Sequence, residues 1–275
     1  MKKILSKITG NKFSQRILNK SIQIAQYLMG IGSGSGVNDS GEKAIFDLLL
    51  NKIEGPYCIF DVGANKGQFL NLAIDNLTNK EYSLHSFEPG AKTFEILTKN
   101  KYKDNITLNN IGLGCDNEDL TLYYDVQGSG LASLTKRKLD HFNIDFNESE
   151  IVKIKTLDSY CSDNKINHIH LLKIDVEGHE LDVLAGANKM FLNNSIDMVT
   201  FEFGGCNIDT RTFFQEFWYF FTKNDMDIYR ITPSGYLYKL EQYKEIIEQY
   251  RTTNFIAIKK IILTLNPGWV LSKII

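Results

Sequence analysis

The feature that most constrains the fold is a rhythm in which short apolar runs end in an acid and open into a turn. Three of them stand out: Tyr57-Cys58-Ile59-Phe60-Asp61, Ser83-Leu84-His85-Ser86-Phe87-Glu88, and His168 to Asp175. Each precedes a stretch with helical spacing: Phe69 to Asn76, a helix through about Asn100, and Glu180 to Phe191. Further strands are expected at Ile106 to Asn110 and Asp197 to Phe203. Runs that are apolar on both faces, alternating with helices, predict an α/β fold whose parallel sheet is covered on both sides. The last third changes character. Asp227 to Thr232, Tyr236 to Leu240 and Asn254 to Lys259 read as strands around Pro233-Ser234-Gly235 and predict antiparallel additions.

The 275 residues suit one α/β domain with extensions. Hydrophobic residues make up 43% and charged residues 23%, which excludes disorder as the main state. The net charge of −2 is unevenly spread. Residues 1–36 carry six cations (Lys2, Lys3, Lys7, Lys12, Arg16, Lys20) and no acid, so the remainder stands at −8. An acidic body argues against nucleic acid as a partner. Residues 1–29 predict one or two basic amphipathic helices, followed by the Gly/Ser linker Gly30 to Gly36. Such a helix either lies on an anionic membrane or docks on its own domain or a neighbouring subunit of a homo-oligomer. The expected organisation is a basic helical extension and linker at 1–40, a catalytic domain at 41–262 and a tail at 263–275. Cys58, Cys115, Cys161 and Cys206 are scattered, without a metal or redox spacing. No run of about 20 apolar residues predicts a membrane span. The expectation is a cytoplasmic protein, with the basic segment available to the inner face of a membrane.

In an open parallel sheet the ligand lies beyond the carboxyl ends of the strands. Four places therefore matter: Asp61-Val62-Gly63-Ala64-Asn65-Lys66-Gly67-Gln68, Glu88-Pro89, Asp175-Val176-Glu177-Gly178-His179-Glu180, and Glu202-Phe203-Gly204. The first is a glycine turn in which Gly63 admits close backbone approach and Gly67 lets the helix pack. It is not the dinucleotide fingerprint, which would need glycine at Asn65 and Gln68, nor a phosphate-gripping loop, since no Lys-Ser or Lys-Thr follows. Glu88 comes 25 residues after Gly63, at the end of the next strand. A carboxylate there can accept both hydroxyls of a ribose.

Taken together, Phe60-Asp61-Val62-Gly63-Ala64-Asn65-x-Gly67-Gln68-Phe69, Phe87-Glu88-Pro89, Thr156-Leu157-Asp158 and Leu171 to Ala187 resemble the FkbM family of S-adenosylmethionine-dependent methyltransferases. The resemblance spans about Ser40 to Lys260, and Tyr229-Arg230-Ile231 and Asn254-Phe255-Ile256-Ala257 extend it. It implies a Rossmann-like class I methyltransferase fold, with a seven-stranded mostly parallel sheet and a final antiparallel strand. It also implies O-methylation of a hydroxyl, commonly of a sugar in a surface polysaccharide or glycan precursor. Asp61, Gly63, Asn65 and Gly67 would then surround the methionine end of S-adenosylmethionine and Glu88 would hold the ribose. Asn110 and Gly112 would line the adenine, with Asp116 or Asn117 near its amino group.

Methyl transfer to an alcohol needs a base as the new bond forms. Asp175, at the end of a central strand, is the first candidate and doubles as a cofactor contact. His179 and Glu202 follow. Period-two alternation puts Lys173 on the same face as Asp175, where a central-strand lysine needs an acid partner. Asp175, Glu177, His179 and Glu202 also form an oxygen-rich set that suits a divalent cation, but no spacing is diagnostic and no metal is assigned. Residues 126–154 read as a loose excursion, either an ordinary surface segment or, as the resemblance implies, one that passes near the acceptor. The rival readings are a nicotinamide oxidoreductase and a non-catalytic module with a methyltransferase fold.

Overall fold

The computed structural model describes residues 2–34, 36 and 40–264. Two helices come first, α1 (Lys2–Thr9) and α2 (Lys12–Leu28), then α3 (Lys43–Lys52). The alternating part runs β1 (Tyr57–Val62), α4 (Gln68–Asn76), β2 (Tyr82–Phe87), α5 (Ala91–Leu97) and β3 (Ile106–Asn109). An excursion follows with β4 (Gly112–Leu113), β5 (Glu118–Tyr124) and β6 (Glu148–Lys155). The chain returns through α6 (Leu157–Asp163), β7 (Ile169–Ile174), α7 (Glu180–Ala185), α8 (Asn188–Leu192), β8 (Ile196–Phe203), α9 (Cys206–Thr210) and α10 (Phe214–Lys223). It closes with β9 (Met226–Ile231), β10 (Leu237–Lys239), β11 (Thr253–Lys259) and α11 (Lys260–Thr264).

The main sheet has the order β10-β9-β11-β8-β7-β1-β2-β3. Strands β3, β2, β1, β7 and β8 are parallel, and β11 inserts antiparallel between β8 and β9. This is the expected mostly parallel sheet with its antiparallel strand. The eighth strand, β10, is a short hairpin partner of β9 at the edge. The chain leaves β1 toward β2 on one side and resumes at β7 on the other, so the order reverses between β1 and β7. The ligand crevice belongs there.

Both faces are covered. One core joins α3, α4 and α5 through Ile45, Phe46, Leu48, Leu70 and Leu97. The other joins α6, α7, α8 and α10 through Tyr160, Val183, Phe191 and Phe217. The aromatic run at 213–221 is explained by this second face. Phe217 stacks on Phe201 of β8 with centroids 4.8 Å apart and planes 8° apart, and Phe214 meets Phe255 of β11 at 4.6 Å. Such pairs add to the area they bury.

Two sequence expectations need revision. The helix read as Glu180 to Phe191 is two helices, broken at Gly186-Ala187. A Cβ at Gly186 would sit 2.0 Å from the Gly114 carbonyl, and the Gly186 carbonyl accepts from Asp158 N, so the backbone there packs against other chain segments. The interval 126–154 is also less loose than expected. Strand β6 pairs along its length with β5, and β4 joins it to make a separate three-stranded sheet. In β6 only Val152 and Ile154 are buried, so its charged neighbours mask the strand in the sequence. Most of the tail expected at 263–275 lies outside the described residues.

Candidate active site

The crevice is built on the carboxyl ends of β1, β2, β7 and β8. After β1 the chain turns at Gly63, whose φ is +83°, and Asn65 is also left-handed. A Cβ at Gly63 would lie 1.8 Å from the Asp175 carbonyl oxygen, so glycine alone lets the ends of β1 and β7 close together. Gly67 (φ +89°) is the N-cap of α4, and its missing side chain makes room for Leu97 and Tyr102. Its role is packing; it is not among the crevice-lining residues.

Glu88 is buried just past β2 and ties the turn together. Its Oε2 accepts from Asn65 N and its Oε1 from Gly90 N, both at 2.9 Å. A carboxylate has about four acceptor positions, so each oxygen keeps one free. Burial pushes the Glu88 carboxyl up to about 7, against the downward pull of those two amides. Asn110 does not face the crevice. Its amide donates to the carbonyls of Glu88 and Pro89 and fixes their turn. Gly112 does line the crevice, close against Pro89. Asp116 is not brought there: Gly112–Leu113 pairs with Ile154–Lys155, which carries the chain to an exposed turn at 115–118. Asn117 is used elsewhere, accepting from Thr156 N at 2.8 Å.

Beneath the crevice Lys173 lies 3.5 Å from Asp61 Oδ1, 3.2 Å from Asp175 Oδ2 and 3.3 Å from the Gly63 carbonyl. Burial pulls the ammonium down, but Asp175, Asp61 and Glu42 outweigh it and hold it above the ordinary lysine value. Asp61 is fully buried, and among the described residues its nearest polar partner is the Lys173 ammonium. Burial pushes its carboxyl up and Lys173 draws it back. Asp61 therefore acts on the crevice through Lys173 rather than by lining it.

The loop after β7 is strained and strongly held. Glu177 adopts φ +53°, costly for a side chain with a Cβ, and Gly178 follows at +103°. Glu180 Oε1 accepts from the amides of Val176 and Gly178, so this acid holds the loop. Ser133 Oγ donates to the Glu177 carbonyl at 2.8 Å, and Arg137 Nη1 reaches Glu177 Oε2 at 2.5 Å. Arg137 also contacts Asp209 at 3.5 Å, and its side chain is nearly buried. The sequence showed Arg137 only as part of a basic run. Its partners lie 40 and 72 residues away, so nothing local marked it.

Of the other base candidates, His179 has both ring nitrogens engaged, Nδ1 with Asp182 at 2.7 Å and Nε2 with Thr135 at 2.9 Å. Glu202 stands on β8 in the cavity wall. Burial, then the nearby Asp175, Glu177 and Glu180, push its carboxyl well above the ordinary range. Arg137 takes Glu177 and the loop amides take Glu180.

Two hollows meet here. The larger, about 870 Å³, is bounded by Glu42, Gln68, Arg137, Lys173, Glu202 and Arg251 among others. The smaller, about 80 Å³, is bounded by Glu88, Gly112, Leu122, Ile154 and the segment Ser129 to Leu134. Gly63, Asn65, Gly130, Asp175 and Glu177 line both. Asp175 thus stands at their junction, with over a third of its side chain exposed.

A family model described as the methyltransferase FkbM domain matches residues 61–228. The chain belongs to the FkbM methyltransferase family. The hexuronic acid methyltransferase AglP of Haloferax volcanii is 26% identical over 163 residues, covering 58% of this chain. The chain spans 60% of the length of that curated relative. Among solved structures, an FkbM methyltransferase from Methylobacillus flagellatus aligns at 15% identity and a TM-score of 0.43, over 73% of this chain and 43% of the other. The plantazolicin methyltransferase BamL, solved with a triazolic desmethylPZN analog and SAH, aligns at 8% identity and 0.45, over 92% and 93%.

Proposed function

We propose that the protein is an S-adenosylmethionine-dependent O-methyltransferase acting on a sugar hydroxyl, with an acidic sugar as the preferred acceptor. The observation that carries this reading is the pair of hollows joined at Asp175: one side offers a ribose-holding carboxylate and the other an open, polar cavity.

The residues fit the cofactor's chemistry. Glu88 keeps one free acceptor position on each oxygen, which matches the two vicinal hydroxyls of a ribose. The acids around Lys173 and Asp175 suit a cationic sulfonium, and Gly63 leaves the backbone bare beside it. The smaller hollow is below the roughly 300 Å³ that an ordinary ligand pocket offers. Entry of the nucleoside therefore requires the covering segment Ser129 to Leu134 to swing outward. Bound S-adenosylmethionine supplies an electrophilic methyl group. Asp175 accepts the proton of the acceptor hydroxyl as the carbon–oxygen bond forms. Glu202, in the wall of the larger hollow, hydrogen-bonds a neighbouring acceptor oxygen and fixes its orientation. His179 braces Thr135 and Asp182 and leaves the base role to Asp175.

The acidic acceptor rests on the hexuronic acid relative and on Arg251 and Lys138 in the cavity wall. The Arg251 guanidinium bonds the neutral Gln26 side chain, which leaves its charge for a ligand carboxylate. The test is methyl transfer from labelled S-adenosylmethionine to hexuronate-containing and neutral oligosaccharides, read by mass. Methylation of the hexuronate that Arg251→Ala slows through a higher KM supports the reading. Equal use of neutral sugars removes the acidic-acceptor part.

A further inference from the structure

Helix α2 is amphipathic and exposed along its length. At 100° per residue, Gln15, Asn19, Gln23 and Gln26 share one face, and Phe13, Ile17, Ile24 and Leu28 share the opposite one. The polar face touches the body at its last turn, where Gln26 bonds Gln249 at 2.8 Å and Arg251 at 2.6 Å, while Gln15, Asn19 and Gln23 are exposed. The apolar face is exposed. Phe13 is 73% exposed and Leu28 69%, and no residue of α2 is buried. The stripe from Phe13 to Leu28 is about 22 Å long. Asn11 caps the helix by accepting from Ser14 N, so it is a formed element before any partner arrives.

The charge decides what covers this stripe. Lys20 and then Arg16 flank the stripe, Lys12 lies on the polar face, and α1 adds Lys2, Lys3 and Lys7. Six cations without an acid make two such arms repel one another, whereas an anionic lipid surface neutralises them while taking up the apolar face. We infer that α1 and α2 form an in-plane anchor for an anionic membrane surface. The anchor is wired to the larger cavity. Gly32 and Gly34, just after α2, donate to the Thr252 carbonyl, and both line that cavity together with Arg251. Docking the helix therefore sets the cavity mouth at the bilayer surface, within reach of an acceptor carried on a lipid. The anchor stands without the methyl-transfer reading; the placement of the acceptor rests on it.

The experiment is co-sedimentation of the full chain with phosphatidylcholine vesicles and with vesicles containing phosphatidylglycerol. Two variants accompany it, Phe13→Ser/Ile17→Ser/Ile24→Ser and Lys12→Glu/Arg16→Glu/Lys20→Glu. All six side chains are exposed, so the fold is kept, and an unchanged melting temperature checks this. The expected result is binding to the anionic vesicles that salt weakens, little binding to the neutral ones, and a loss of about a hundredfold for either variant. Equal binding to both vesicles, or variants that bind like the parent, overturns it. A parent dimer that the serine variant splits without lipid also overturns it, because a second copy then covers the stripe.

Discussion

Replacing Glu88 by Gln isolates the residue on which the cofactor reading most depends. In the parent each carboxylate oxygen already takes one backbone amide and keeps one position free. A glutamine loses one acceptor oxygen and turns an NH2 toward Asn65 N or Gly90 N, so one amide is left facing a donor. Loss of one charge-assisted ribose hydrogen bond, at about 1.5–3 kcal/mol, weakens S-adenosylhomocysteine binding roughly ten- to a hundredfold. The parent must also bind in a pH-dependent way. Its carboxyl titrates near 7, and the ionised form accepts both hydroxyls. Affinity therefore rises with pH and is about tenfold weaker at pH ~6 than at pH ~8, while the glutamine variant is flat. The stability of the ligand-free protein moves the other way. A carboxyl raised above its unfolded value contributes stability that is complete below pH ~4.5 and lost as pH rises through about 7, here about 3 kcal/mol. The variant should thus gain on the parent across that window. Calorimetric titration and thermal melts at several pH values read both effects. A variant with parental affinity, or a parent whose affinity ignores pH, refutes the ribose assignment.

Further outcomes follow from the same geometry. Asp175→Asn should keep cofactor affinity and slow turnover roughly 10²–10⁴-fold; parental turnover in a single-turnover assay would remove Asp175 as the base. Gly63→Ala should abolish cofactor binding and lower the melting temperature, since its Cβ would overlap the Asp175 carbonyl; a variant that melts and binds like the parent contradicts the close approach of β1 and β7. Ser133→Ala removes the tie to the Glu177 carbonyl while the backbone bridge to Tyr123 stays, and should speed both association and release of S-adenosylhomocysteine in stopped flow; unchanged rates would show that this tie does not limit entry. Phe201→Ala removes the ring that stacks on Phe217, Phe221 and Phe255 and should cost about 3–5 kcal/mol in denaturant unfolding, whereas a loss under 1 kcal/mol would contradict that packing.

The parallel sheet was legible because its strands are apolar on both faces, and the strand-end acids mark where the crevice opens. Gly63, Asn65, Glu88, Asp175 and Glu202 stand in the walls of the two hollows, and Asp61 lies beneath them against Lys173. Asp116 was misplaced because the expectation ran the chain straight on from the third strand, while the pairing of β4 with β6 turns it aside. Strand β6 itself was hidden by its charged positions. Arg137 and Arg251 escaped notice because their partners are long-range. The exposed face of α2 was written in its spacing, but the direction it faces is set by Gln26 and the body, which periodicity alone does not report.

The central claim is that the crevice receives S-adenosylmethionine. The most direct measurement is thermal unfolding of the full chain with S-adenosylhomocysteine, S-adenosylmethionine or NAD, each near saturation. At about a hundred times the dissociation constant a true ligand adds roughly 2.7 kcal/mol, which raises the melting temperature of a domain this size by several degrees. The account predicts that rise with both sulfur nucleosides and none with NAD. A rise with NAD alone, or with none of the three, would contradict it.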